Sequence, residues 1–253
     1  MDQRLHTWVI NLDRAPDRLA RVRAQLDALS LPWTRLPAVD ARALTPAQAA
    51  SLDEAAYRRK HGMRPSLGEL GCYLSHIEVM RALLAGPHAY ALVLEDDVLL
   101  KPALPAVLDG LMAAPDRWDV AKLSAVHSGT PVPYLEVAPG HHLAVMLTRC
   151  TGSSAYLLNR KAAAVYVEQL LPMSLPYDHV FDQGWRFGLK FRLVTPTPCG
   201  HDDVIESTIV AAANRKFPKW QRGSTYAYRL GNELRRVGHG LTQALRERVR
   251  GGR

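Results

Sequence analysis

The segment Tyr90-Ala-Leu-Val-Leu-Glu95-Asp96-Asp97-Val-Leu-Leu100 decides how the rest of the chain is read. Strand-forming apolar residues run directly into three consecutive carboxylates, and the pattern then turns apolar again. A short, continuous apolar run fits a strand buried on both faces. An acidic tip fits the carboxyl end of such a strand in an α/β sheet, where ligand groups gather. Three adjacent carboxylates repel one another and raise their pKa values unless a cation, an Arg or Lys, or solvent relieves them. Two outcomes fit the segment by itself: a cation-binding tip, or a solvated acidic turn ahead of a helix that Pro102 is placed to begin.

Upstream, Ser66-Leu-Gly-Glu69 has the spacing of a reciprocal helix cap, and Gly86-Pro87 ends the element about twenty residues later. Leu70, Tyr73, Leu74, Ile77, Met80, Leu83 and Leu84 make its apolar face, with Ser75 and His76 in the middle. A lone helical histidine is more often structural than catalytic. At the start, Thr7-Trp-Val-Ile-Asn11-Leu12 reads as a strand that leaves through Asp13-Arg14-Ala15-Pro16 into a helix marked by Leu19, Val22, Leu26 and Leu29. Residues 33–39 then form a less regular strand ending at Asp40. This β-α-β unit predicts a parallel sheet with Asn11 and Asp40 at neighbouring carboxyl ends. Thr45-Pro46 opens a polar helix to about Tyr57.

Downstream, residues 103–113 suit a helix and Trp118–Leu123 a strand, with Lys122 at its end, where it could meet a phosphate. Residues 125–150 read as an irregular excursion with one strand at Val145-Met146-Leu147. Gly152-Ser153-Ser154 turns into a strand, and Asn159 caps a helix to about Leu170. Asp178 opens the next element, where a helix N-cap is its plain structural role. A short helix over 180–187, a strand over 190–195 and a proline-broken approach to His201-Asp202-Asp203 follow.

The chain has 253 residues, 47% hydrophobic and 22% charged, enough for one large α/β domain with a substantial core. No run is long and apolar enough for a membrane span. Cys72, Cys150 and Cys199 are widely separated, which disfavours a disulfide framework or a cysteine zinc site. The opening residues lack a secretory layout, so a reducing cytosol is expected. The net charge of +8 is uneven: residues 214–253 hold eleven Lys/Arg against Glu233 and Glu247, a local +9. The remainder is close to neutral, which argues against a nucleic-acid binder. Division into a domain over 1–213 and a basic tail over 214–253 follows. Leu230, Leu234, Val237, Leu241 and Leu245 recur at helical spacing among the tail's arginines, with Gly231, Gly238 and Gly240 as weak points. An amphipathic basic helix on an anionic membrane surface is expected.

In order along the chain, Val9-Ile-Asn11-Leu-Asp13-Arg14 with Asp17-Arg18, then Ala38-Val-Asp40, Gly68-Glu69-Leu-Gly71-Cys72-Tyr-Leu-Ser75-His76 and Leu92-Val-Leu-Glu95-Asp96-Asp97 resemble glycosyltransferase family 25. Ser154-Ala-Tyr156-Leu-Leu-Asn-Arg160-Lys161 and Pro176-Tyr-Asp178 extend the match, as do Glu206-Ser207 and the basic tail. The family comprises bacterial lipooligosaccharide and lipopolysaccharide galactosyltransferases, related to collagen-modifying enzymes. The resemblance implies a GT-A-like, Rossmann-like, mostly parallel sheet flanked by helices, a UDP-sugar donor (most often UDP-galactose), Mn²⁺ or Mg²⁺, and inversion at the anomeric carbon. It further implies a saccharide or glycolipid acceptor and a cytoplasmic place at the inner face of the plasma membrane.

On that footing Asp97 is the expected direct metal ligand, with Asp96 or Glu95 reaching the metal through water or holding the ribose. Glu95 departs from a strict Asp-x-Asp pattern. His201 is the expected further ligand, with Asp202 and Asp203 as competitors. Asp178 is the expected base that takes the acceptor hydroxyl proton. Asn11, Arg14 and Asp40 would contact the nucleotide and Arg18 a phosphate. Ser75 and His76 would line the donor pocket, and Lys122, Ser153 and Ser154 would lie near the sugar or diphosphate. Two other readings compete. A nucleotidyltransferase usually needs a glycine-rich first turn, and Leu12-Asp-Arg-Ala-Pro16 has none. A non-enzymatic membrane module would place the useful chemistry in the tail alone.

Overall fold

The computed structural model describes residues 4–201 and 216–251. The acidic-tipped segment is strand β3 (Tyr90–Glu95), and it lies near the middle of an eight-stranded sheet. Its alternation decides the layers. Ala91 and Val93 face one buried cluster with helix α4 (Leu67–Ala85) and helix α6 (Arg160–Gln169), while Leu92 and Leu94 face another with helices α1 (Pro16–Ala28) and α5 (Leu104–Ala113). The result is a three-layer α/β/α arrangement.

The strand order is β2-β1-β3-β8-β5-β9-β7-β6. Here β1 is Leu5–Asn11, β2 Trp33–Pro37, β5 Val120–Lys122, β6 Pro131–Ala138, β7 His141–Met146, β8 Ala155–Asn159 and β9 Phe191–Thr195. The first β-α-β unit is parallel as expected, and β1 also runs parallel to β3, placing Ile10 opposite Glu95. Beyond β3 both senses occur, with β5 and β9 parallel. Strand β8 is antiparallel to both β3 and β5, and β7 to both β9 and β6, so the sheet is mixed.

Three local expectations change. Residues 131–146 form a hairpin rather than an irregular stretch. Pro131 and Pro133 cannot donate ladder hydrogen bonds, and β6 takes the sheet edge, where that loss is tolerated. The polar helix after Thr45 is two helices, α2 (Pro46–Ala49) and α3 (Glu54–His61), because Asp53 accepts from the Ala56 N–H and starts a new helix. Residues 177–187 likewise split into α7 (Tyr177–Val180) and α8 (Gly184–Phe187).

Helix α4 has the reciprocal Ser66–Glu69 cap and is buried well beyond a single stripe. A Cβ at Gly71 would stand 2.6 Å from the Val39 carbonyl, so glycine lets the segment after β2 lie directly on the helix. Ser75 completes that seat by accepting from the Val39 N–H at 2.9 Å. A second, two-stranded sheet pairs β4 (Val98–Leu100) with β10 (Cys199–His201), Val98 opposite His201. Helix α9 (Gly223–Gly251) is unbroken through its glycines. At Gly240 its backbone comes so close to the sheet that a Cβ would be 2.7 Å from the Met146 carbonyl.

Candidate active site

Strands β1 and β3 end side by side, which brings Asn11 to the acidic tip. Its amide donates to Asp96 Oδ2 at 2.7 Å and to the Ala15 carbonyl at 2.9 Å, pinning the glycine-free turn. One turn into α1, Arg18 Nη2 lies 3.0 Å from Asp96 Oδ1 and 3.2 Å from Asp97 Oδ2. The cleft above is lined by Arg14, Arg18, Val39, Cys72, His76 and the three acids, and its empty space is about 760 Å³ up to the open mouth. Of that space only about 130 Å³ is enclosed cavity, so a ligand seated on the acidic tip would extend through the open mouth. Arg14 pairs with Asp40 on the rim, and Arg42 binds the same carboxylate at 2.7 Å. Together Arg42 and Arg14 hold the Asp40 carboxyl below its usual range.

The three acids of the tip occupy different environments. Glu95 turns sideways: its Oε1 accepts from Ser153 Oγ at 2.6 Å and stands 3.4 Å from His76 Nε2. That imidazole nitrogen is buried and has no other partner among the described residues. Burial pushes Glu95 up, and His76 with Ser153 more than offset it, leaving Glu95 below the ordinary carboxylate value. Asp96 is raised, by burial, against the opposing pull of Asn11 and Arg18. Asp97 is pushed up to about 6, by burial first and then by the Glu95 charge. Its Oδ1 is buried without a hydrogen-bond partner. A desolvated carboxylate with an unused oxygen, beside two further acids, fits a hard divalent cation.

His201, carried by β10, stands 3.9 Å from Asp97 Oδ1 and 3.3 Å from Ser154 Oγ. The expected set Asp97, Glu95 and His201 is therefore not a converged trio, because Glu95 faces away toward His76. Among the described residues, the Cys/His/acid atoms that do converge, within 4.8 Å, belong to Cys72, His76 and Glu95. Asp202 and Asp203 lie outside the described residues.

Lys122 is not at the cleft. Its ammonium is buried beneath the loop before β8, donating to the Cys150 and Thr151 carbonyls at 3.0 and 2.9 Å. It shapes that loop instead of meeting a phosphate. Nor is Asp178 the helix cap: Pro176 holds that position, and Asp178 Oδ2 accepts from the Gly152 N–H at 3.0 Å. Burial, then the charges of Glu95, Asp178 and Asp97, raise the Cys72 thiol, which puts Asp178 in the electrostatic reach of the same pocket.

A hydroxyl chain behind the site went unread from sequence. Tyr177 donates to Tyr156 at 2.9 Å, and the Tyr156 hydroxyl meets His76 Nδ1 at 2.9 Å, with the Tyr177 ring stacked on the imidazole. The spacing of Cys72 and His76, four apart on one helix, signals instead their shared cluster with Glu95.

The family described as "Glycosyltransferase family 25 (LPS biosynthesis protein)" matches residues 4–181, which carry every element of this cleft except β10. The chain belongs to glycosyltransferase family 25. Curated family-25 relatives agree. A "Glycosyltransferase 25 family member" of Aedes aegypti is 34% identical over 101 residues, 38% of this chain and 17% of that one. "Procollagen galactosyltransferase 2" of Homo sapiens is 31% identical over 121 residues, 45% and 19%. "Procollagen galactosyltransferase 1-A" of Xenopus laevis is 28% identical over 181 residues, 68% and 29%. The chain thus spans less than a third of the length of these relatives. A solved 4-diphosphocytidyl-2C-methyl-D-erythritol synthase of Anaerococcus prevotii aligns at TM-score 0.35 and 10% identity, over 89% of this chain and 98% of that one, a likeness too slight to inform the fold.

Proposed function

We propose that this chain is an inverting glycosyltransferase of GT-A-like architecture that moves galactose from UDP-galactose to a saccharide acceptor. The acceptor class is lipooligosaccharide, lipopolysaccharide or another cell-surface glycan, met at the inner face of the plasma membrane. The observation that carries this is the Asp96–Asp97 tip, with its unpartnered buried oxygen, at the carboxyl end of β3 on the floor of an open cleft flanked by Arg14 and Arg18.

Asp97 would hold Mn²⁺ or Mg²⁺, with Asp96 assisting and His201 close enough to join. The ion supplies charge neutralisation for a departing diphosphate. Asn11 fixes the orientation of Asp96, and Arg14, positioned by Asp40, offers a guanidinium to the nucleotide. Ser75 and His76 wall the donor pocket, and Ser153 and Ser154 bring hydroxyls to its sugar end. Asp178 takes the proton of the acceptor hydroxyl as that oxygen bonds to the anomeric carbon and the bond to UDP breaks. The Gly152 N–H holds its Oδ2, and its Oδ1, 4.0 Å from His179 Nε2, is the oxygen that would take the proton.

The test is release of UDP from a panel of UDP-sugars, with and without Mn²⁺. Metal-dependent release from UDP-galactose, lost in Asp97→Ala with the fold intact, is the expected result. Release of pyrophosphate from UTP and a sugar phosphate would overturn it in favour of a nucleotidyltransferase.

A further inference from the structure

Helix α9 is docked the wrong way round for an ordinary surface helix. Its buried face is polar: Thr225, Arg236, Gly240 and Glu247. Arg236 forms a bidentate pair with Asp182 at 2.6 and 3.1 Å, over the Trp185 ring, while Glu247 receives Arg117 at 2.5 Å and Arg192 at 3.2 Å. Thr225 donates to the Arg59 carbonyl at 2.9 Å. The apolar face is left outside. Of the ten large hydrophobic side chains exposed among the described residues, seven lie between Trp220 and Val249. At 3.6 residues per turn Leu230, Leu234, Leu241, Leu245 and Val249 fall within an arc of roughly 100°. Each is more than half exposed.

What borders that stripe selects its occupant. Arg235, Arg246, Arg248 and Arg250 are exposed on α9, whereas of the two acids described from 216 onward Glu247 is buried and Glu233, partly exposed, lies 3.7 Å from Arg236. Two copies meeting through their stripes would bring like charges together, whereas an anionic lipid surface meets leucine with hydrocarbon and arginine with phosphate. With 29 residues, α9 is about 44 Å long. No helix among the described residues is long and apolar enough to cross a membrane, which leaves the interfacial plane.

We propose that α9 is an interfacial membrane-binding element, its leucine face seated in an anionic bilayer while its charged face stays clamped to the catalytic domain. The clamp makes the domain rigid with the helix, so the whole molecule lies against the membrane on one side. This attachment is independent of which sugar or nucleotide the cleft accepts.

The experiment is co-sedimentation of the full chain with phosphatidylcholine vesicles containing or lacking phosphatidylglycerol, alongside sizing in solution. Binding to the anionic vesicles is expected, weakened about tenfold or more in Arg235→Gln/Arg246→Gln. Leu234→Ser/Leu241→Ser should lose binding while keeping the circular dichroism and donor hydrolysis of the parent. These sites are exposed, so the fold does not depend on them. No binding by the parent chain overturns the proposal, as does undiminished binding by the leucine variant. A dimer that the leucine variant splits, without vesicle binding, overturns it in favour of self-association.

Discussion

Arg18 lies between Asp96 and Asp97, so a divalent cation bound by Asp97 meets a positive charge already in place. Removing it in Arg18→Gln is expected to tighten Mn²⁺ binding about tenfold, read by electron paramagnetic resonance of the free ion. Unchanged affinity would show that Arg18 moves aside at no cost. Asp97 itself carries a pH signature. Its pKa is near 6 in the folded chain and about 4 in an unfolded one. The native state therefore holds more protons between those values, and its stability falls as pH rises through that window. Asp97→Asn should flatten this slope and raise the metal-free unfolding free energy at neutral pH by on the order of 1 kcal/mol, read by chemical denaturation. The strand-end acids, Asn11 and Arg18 could be placed from sequence because strand ends converge in such sheets. Lys122 could not, since its partners Cys150 and Thr151 lie 28 and 29 residues away on a loop no local pattern announces.

At the scale of elements, α9 is secured by few but strong contacts. Asp182 and Arg236 are almost fully buried, so Asp182→Ala strands a guanidinium and is expected to cost about 3–5 kcal/mol. The double change Asp182→Leu/Arg236→Leu should recover most of that loss in chemical denaturation. If the double variant is as unstable as the single, the pair is not the cause. Gly240→Val is expected to lever the helix off β7, with early proteolysis after residue 240, because the Met146 carbonyl occupies the space. The helical period of the tail was visible in its leucines. Which face would be buried was not, since apolar periodicity ordinarily points inward and only the buried acids Asp182 and Glu247 reverse it. The β6–β7 hairpin was hidden for a related reason: Pro131 and Pro133 read as strand breakers until the edge position is known.

For the whole molecule, ligand binding should be legible as stability. Mn²⁺ with UDP at about a hundred times its dissociation constant should add about 2.7 kcal/mol to unfolding, and Asp97→Ala should abolish the gain. A second whole-molecule consequence concerns rigidity at the site. Strand β8 runs against β3, so the chain reaches the acidic tip on its way into the sheet. Residues 147–154 therefore pass beside Glu95, held from below by the buried Lys122 ammonium on the Cys150 and Thr151 carbonyls and from the side by Asp178 on the Gly152 N–H. A change of length there would leave a buried ammonium without its carbonyls, so this loop is as fixed as the strands that flank it. The acidic tip thus gets a rigid wall from a segment with no regular secondary structure.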